Sequence, residues 1–429
     1  MSTETASSGG SGTTPGLNWA RNLRYSARTL HRPTSLDELR RVVTTARHVR
    51  ALGTRHCFND VADSPGDLVT LEGLPTEVDV DSAAGTARVS GATSYGVLAQ
   101  ELHAHGAALA TMASLPHISV AGAVATATHG SGDRARNLAA VVRAVELVGA
   151  DGELRRVERG EEDFAGSVVA LGALGVVTHV ELDVLPTYDV RQDVYSGLSF
   201  DALVENLDAV TSAAHSVSVF TDWTGPDTSQ VWLKTRLADS ADAPAELFGA
   251  RPCTEPLNPV PEADVRNATQ QLGMPGPWHE RLPHFRFSFT PSKGEELQAE
   301  YLLPREHALE AIGALRELGP RIAPLLHVSE IRTVAADELW LSGSCGRDTV
   351  AVHFTFAQRQ PEVLALLADV EAALDGLDAR PHWGKLFTTP AQRLEALYPR
   401  FADFRALVAR HDPGRRFANA FTDRVGVTG

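Results

Sequence analysis

Cysteine is scarce in this 429-residue chain: Cys57, Cys253 and Cys345 are the whole supply, widely spaced and without a C-x-x-C pair. That argues against a disulfide framework and a cysteine-based zinc site, and it fits a reducing, cytoplasmic setting. Positive charge is also in deficit. A formal net charge of -15, with no Lys/Arg-dense and aromatic-interleaved face, works against a nucleic acid partner. No uncharged apolar run is long enough to span a bilayer, so no membrane association is expected. Residues 1–16 are rich in Ser, Thr and Gly but lack the basic start and apolar core of a secretory signal, and they read as a disordered tail. Neither G-x-G-x-x-G nor a Walker sequence occurs, which leaves a Rossmann nucleotide site and a P-loop unsupported. No internal repeat of solenoid length is visible.

What is present is a soluble globular composition, 43% hydrophobic and 22% charged, on a chain too long for one ordinary core. Ser35 and Glu38 have capping-box spacing at the start of a helix expected to run from residue 36 to about 49, leading into a short strand. Further strands are expected at 68–71, 78–80 and 87–90, and a helix at 95–105. Asp151 and Gly152 mark a hairpin between 141–148 and 153–157. Pro186 is a plausible boundary. Beyond it the pattern predicts a helix over 200–214, strands at 217–221 and 231–235, an irregular excursion over 238–282, strands at 285–289 and 299–303, and a helix over 305–318. Strands at 326–334 and 349–356 follow, then a helix over 361–374 and a C-terminal helix and turn that close a domain.

Three regions concentrate chemistry. In the first, an apolar strand breaks at Gly53 into a polar turn, with Thr54, Arg55, His56, Cys57, Phe58 and Asn59. A glycine there lets the backbone approach a bound group and present amides to anionic oxygens. The second, residues 112–132, is almost entirely small or hydroxylated, and Ser119 is placed to cap a helix whose amide end favours phosphate. A tight helix packed on a sheet needs the same small residues. In the third, the period of two puts Glu330 and Arg332 on one face of a strand, and His353 and Thr355 opposite the apolar Val350, Val352, Phe354 and Phe356. If the two strands are neighbours, these four polar groups share a surface. Lys385 follows in the segment HWGKLF.

These segments, GTRHCFN at 53–59, MASLPHISVAG at 112–122, SEIRT at 329–333, VHFT at 352–355 and HWGK at 382–385, resemble the flavin-dependent oxidases of the vanillyl-alcohol oxidase fold, most closely the alditol and xylitol oxidase group. The resemblance covers nearly the whole chain after the tail. It implies a two-domain α+β architecture: an FAD-binding domain over 17–186, an inserted antiparallel-sheet substrate domain over 187–386, and a return to the first domain over 387–429. It implies that His56 carries covalently attached FAD. The turn from Gly53 to Asn59, together with Ala113, Ser114, Ser119, Gly122, Thr126, Ala127, Thr128, His129 and Gly130, would wrap the pyrophosphate and ribityl chain, and Val177 and Thr178 the adenine side. Ser114, Glu330, Arg332, Thr355 and Lys385 match the polyol-contacting positions, with His353 beside them. Two positions depart from the pattern: Cys57 replaces a small hydroxylated residue, and Ala127 stands where a glycine is common. Ala113 matches a position kept small for oxygen access.

The activity implied is oxidation of a terminal alditol hydroxyl by hydride transfer to FAD, with O2 as acceptor and H2O2 as product. Arg332 and Lys385 suit stabilisation of a developing alkoxide, while His353, or Lys385 if burial lowers its pKa, suits the hydroxyl proton. Successive hydroxyls of a polyol suit Glu330, Ser114 and Thr355. A monomer with no metal is expected. The alternatives are an aldonolactone oxidase or dehydrogenase of the same fold and a flavin-carrying protein without turnover. A histidine metalloenzyme gains little, since His103 and His105, two apart on a helix, point to different sides.

Overall fold

The computed structural model describes residues 13–428 except 241, 262 and 290–294. The expected tail lies outside the described residues up to position 12. Residues 13–16 are not tail, because Thr13 exchanges backbone hydrogen bonds with Leu30 in the strand Thr29–His31. That strand and Val49–Ala51 flank Asp67–Val69 in a parallel sheet, and the helix Leu36–Thr45 makes the crossover. The helix stops short of the expected position 49. Ala46 is already extended, and the Val49 N–H is taken by the carbonyl of Arg416 from the C-terminal segment.

A five-stranded antiparallel sheet follows in the order Val78–Asp81, Thr86–Ser90, Val176–Asp183, Val142–Val148, Leu154–Glu158. Strict alternation in Val176–Asp183 buries Val176, Thr178, Val180 and Leu182 on one face, as a half-buried strand requires. Above it, the small-residue region becomes the helix Val120–Ala125. Ser119 occupies the N-cap position with extended backbone, but its side chain makes no capping hydrogen bond, contrary to expectation.

The largest sheet has nine strands. Its central run is Asp189–Ser196, Gln230–Arg236, Ser216–Thr221, Leu326–Val334, Thr349–Ala357 and Glu296–Pro304, all antiparallel. One face, carrying Val350, Val352, Phe354 and Phe356, packs into a core shared with the helices Ala308–Ile322 and Gln360–Ala373. The other face carries polar side chains in register. Glu300, His353 and Glu330 sit directly opposite one another on three adjacent strands, the last two as anticipated.

Two further expectations fail. The helix over 200–214 is two short ones, Phe200–Glu205 and Leu207–Thr211, because the Asn206 side chain donates to the Ala202 carbonyl and ends the first. The strand over 285–289 does not form. Its backbone is spread over several partners, with His284 and Phe285 both donating to the Ser114 carbonyl and Arg286 to that of Asn267. The C-terminal segment returns to the Gly53–Asn59 region: the Asn419 amide donates to the carbonyls of Asp60, Val61 and Asp63 at 2.7–3.2 Å.

Candidate functional site

The turn after Ala51 is fixed from behind. Arg50, fully buried, donates to the carbonyls of Val61, Leu171, Gly172 and Phe417, so one guanidinium ties together three segments of the surrounding scaffold. At the turn itself the left-handed residue is Arg55, with φ 67, and not Gly53. A non-glycine residue there costs backbone energy unless its surroundings hold it. Its carbonyl accepts from Trp19 N–H at 2.9 Å, and its side chain donates to the Pro15 carbonyl and lies over Tyr25. Gly53 serves close approach instead: a Cβ there would lie 2.7 Å from Ser119 Oγ.

His56 stacks on Trp19, with ring centroids 5.2 Å apart, and its buried Nδ1 has no hydrogen-bond partner. Burial first, and His117 second, push its pKa down to about 4, so the imidazole is neutral at pH 7. Cys57 is a free thiol pushed up to about 12 by burial. The Asn59 amide donates to the carbonyls of Trp383 and Lys385 at 2.8 and 2.7 Å, which locks the turn to the HWGK segment.

A single cavity of about 760 Å³ joins this turn to the large sheet. Its wall takes in Gly53, Thr54, Arg55, His56, Cys57 and Phe58, then Ala113, Ser114, Ser119, Gly122, Thr126, Thr128, His129 and Val177, and from the sheet side Glu330, Arg332, His353, Thr355 and Lys385. Asn59, Ala127, Gly130 and Thr178 lie behind the wall, not on it. Ala127 holds a left-handed backbone, φ 54, without the glycine that conformation favours.

On the sheet side the central group is one the sequence reading missed. Glu300 is 1% exposed. Its Oε1 accepts from Arg332 and lies 3.4 Å from His129 Nε2; its Oε2 accepts from Lys385 Nζ at 2.6 Å. Lys385 Nζ also lies 2.7 Å from His353 Nδ1, and His353 Nε2 is 3.0 Å from Thr355 Oγ1. Arg332 Nε lies 3.6 Å from Glu330 Oε2, and Glu330 Oε1 meets His284 Nε2 at 2.9 Å. Behind His284, Lys234 Nζ sits 3.0 Å from Nδ1. Neither Lys234 nor His284 was anticipated. A signal existed: the chain has only three lysines, and two of them, Lys234 and Lys385, are in this cluster.

Burial works against ionisation of both carboxyls, but Arg332 and Lys385 around Glu300, and Arg332 and His284 around Glu330, outweigh it and hold them well below the usual carboxylate range. Burial lowers Lys385 from the ordinary lysine value, with Glu300 opposing. Burial, then Lys385, keep His353 well below a free histidine. The result is a desolvated set of opposite charges around neutral imidazoles, the arrangement able to stabilise charge that develops on a bound oxygen.

FAD fits this cavity. It is large, its turn side brings glycines and small residues together with Trp19, Tyr25, Arg55 and Phe58, and the buried Nδ1 of the neutral His56 imidazole there lacks a partner. Residues 27–158 match the FAD binding domain family, and residues 290–425 match the D-arabinono-1,4-lactone oxidase family. The chain is 51% identical over 407 residues to an alditol oxidase of a Streptomyces species, covering 94% of this chain and 97% of the relative. It is 30% identical to an L-gulono-1,4-lactone dehydrogenase of Mycobacterium tuberculosis, covering 95% and 98%. In fold it matches a cholesterol oxidase from B. sterolicum with a TM-score of 0.78 at 14% identity, covering 96% of each chain. The fold expectation, a mixed helix and sheet flavoprotein of the vanillyl-alcohol oxidase type, therefore stands. The chain belongs to the alditol oxidase family of FAD-dependent oxidoreductases.

Proposed function

We propose that this protein oxidises the terminal primary hydroxyl of an alditol, such as xylitol or sorbitol, to the aldose, with O2 as final acceptor and H2O2 as product. One observation carries the reading: the Glu300, Arg332, Lys385, His353 and Glu330 cluster opens on the same cavity as the His56 turn. FAD, attached through His56, supplies the hydride acceptor. Residues 17–186 and 387–429 form its binding domain and 187–386 the cover over substrate, a division supported by the separate sheets and by the return of Asn419 to the turn.

The chain's own residues do the rest. Arg332, fixed by Glu300, and Lys385 stabilise negative charge on the substrate oxygen. The Lys385 and His353 pair, 2.7 Å apart, takes up the hydroxyl proton in its proton-free form and then shares it as one coupled unit. Burial lowers both members, which keeps the proton-free pair accessible. Glu330, Ser114 and Thr355 bind the further hydroxyls, and Ala113 leaves room for oxygen. The reading includes a cytoplasmic monomer; the three cysteines are free thiols, as a reducing compartment requires.

The match of residues 290–425 to the lactone oxidase family favours a second reading, oxidation of an aldonolactone. Purified protein given xylitol or L-gulono-1,4-lactone, with H2O2 recorded, decides between them. Peroxide from xylitol is expected; turnover of the lactone alone overturns the alditol reading.

A further inference from the structure

Lys234 is 1% exposed and does not reach the cavity wall, yet it forms no hydrogen bond to a carboxylate. Burial lowers Lys234 well below the ordinary lysine value, with the Glu330 carboxylate opposing; in its ammonium form it has three donors, and three acceptors surround it: the Leu282 carbonyl at 2.6 Å, the Pro283 carbonyl at 2.9 Å and His284 Nδ1 at 3.0 Å. The carbonyls can only accept. With the ammonium's third hydrogen on Nδ1, the neutral imidazole must carry its own proton on Nε2, which lies 2.9 Å from Glu330 Oε1. The opposite tautomer would point an N–H at an ammonium and a lone pair at a carboxylate. Each group in the row therefore specifies the next.

We propose, building on the alditol reading, that Lys234 is a positioning residue for substrate recognition. It holds His284 in the Nε2–H tautomer, and that N–H fixes Glu330 as an oriented, ionised acceptor for a substrate hydroxyl. The groups facing His284 agree. Ser218 Oγ lies 3.4 Å from Nε2, Phe220, Trp232 and Phe285 pack edge-on around the ring, and among the described residues the charged groups acting on it are Lys234 and Glu330, with Arg332 beyond. Burial, with Lys234, pushes His284 down to about 4, so it stays neutral at working pH. The His284 backbone N–H also donates to the Ser114 carbonyl at 3.1 Å. One residue thus sets the spacing between Glu330 and Ser114, both assigned to the polyol. Lysine suits the place because a compact ammonium can serve three acceptors around one point, where a planar guanidinium cannot.

The test is a double-mutant cycle on the holoenzyme with xylitol, combined with a direct view of the ring. Lys234→Met should raise KM about tenfold and change kcat by less than about threefold, the signature of lost substrate positioning. In a Glu330→Gln background the same substitution should change KM no further. Additive effects in the cycle, or a fall in kcat at unchanged KM, overturn the proposal. In 15N-histidine-labelled wild-type protein, the His284 signal, assigned by its loss in His284→Gln, should report a bare Nδ1 and a protonated Nε2 without titration between pH 5 and 9. A protonated Nδ1 overturns the proposal even if Lys234→Met fails to fold. Absence of wild-type xylitol turnover would sink the alditol reading instead, and the tautomer measurement would still decide the role of Lys234.

Discussion

Around the Gly53–Phe58 turn the cavity wall combines glycines and small side chains with Trp19, Tyr25, Arg55 and Phe58, and the Nδ1 of His56 there has no hydrogen-bond partner. Across the cavity, on the nine-stranded sheet, the wall is made of ionised side chains each already committed to another: Arg332 and Lys385 to Glu300, Glu330 to His284. The first side leaves its hydrogen-bonding capacity open for a ligand that stays. The second has satisfied most of its capacity internally, which suits a surface that must hold its geometry while substrates come and go. Desolvation makes this an expensive arrangement, and it persists because every charge has an opposite within reach.

The sharpest way to break that contrast is to remove the shared carboxylate. Glu300→Gln leaves Lys385 without its carboxylate partner and Arg332 with only Glu330, 3.6 Å from its Nε, and breaking such a buried pair costs about 3–5 kcal/mol. A fall of about 10³-fold in kcat/KM is expected, with the flavin content per chain unchanged. Parallel loss of flavin would show that the two sides are one structural unit.

On the turn side, His56→Ala removes the proposed attachment point but touches none of the sheet charges. Protein precipitated with acid should then lose its yellow colour to the supernatant, whereas wild-type pellets stay yellow. A drop in kcat of about tenfold, with KM for xylitol unchanged, is the expected kinetic cost. A yellow pellet from the variant would show that another residue holds the flavin.

The pH profile separates the sides more gently. Lys385 has its pKa lowered from 10.5, so its proton-free form becomes available at lower pH than in a free lysine. If the Lys385 and His353 pair takes up the hydroxyl proton, kcat/KM rises with pH along an acid limb set by that pair and levels off below 10.5. Lys385→Met should abolish the limb. A rate that falls as pH rises through the same range would reverse the assignment and make the protonated lysine the active form.

Much of this contrast can be read in the sequence, but unevenly. The strands carrying Glu330 and His353 were legible because alternation with valine and phenylalanine assigns faces without any knowledge of neighbours, and their pairing brings the two together. Glu300 was not. It sits between Ala299 and Tyr301 in a strand whose expected span was short, and a lone carboxylate in an apolar run gives no hint that Arg332 and Lys385 arrive from other strands and loops to meet it. His284 was hidden for a similar reason, since it belongs to a stretch held by scattered carbonyls rather than by a ladder. The scarcity of lysine was the one local clue to Lys234. Local periodicity finds elements; it does not find a charge whose justification lies far along the chain.

Cys57 offers the smallest and most specific test, because it stands next to His56 and lines the same cavity. A sulfur link to the flavin would need an accessible thiolate, and burial raises this thiol to about 12. It also packs against the apolar core around the turn and close to Gly384, where a Cβ would lie 3.3 Å from its sulfur. Its role is therefore packing. Cys57→Ser should leave the mass of the attached FAD and the kinetics unchanged, while placing a hydroxyl in an apolar niche should cost about 1 kcal/mol of stability, visible as a melting temperature lower by a few degrees. Combined with His56→Ala, the same substitution should make no difference to the colourless pellet. If the His56→Ala pellet keeps colour and the double variant loses it, the sulfur has taken over the bond, and the turn side is more reactive than the burial of its thiol suggests.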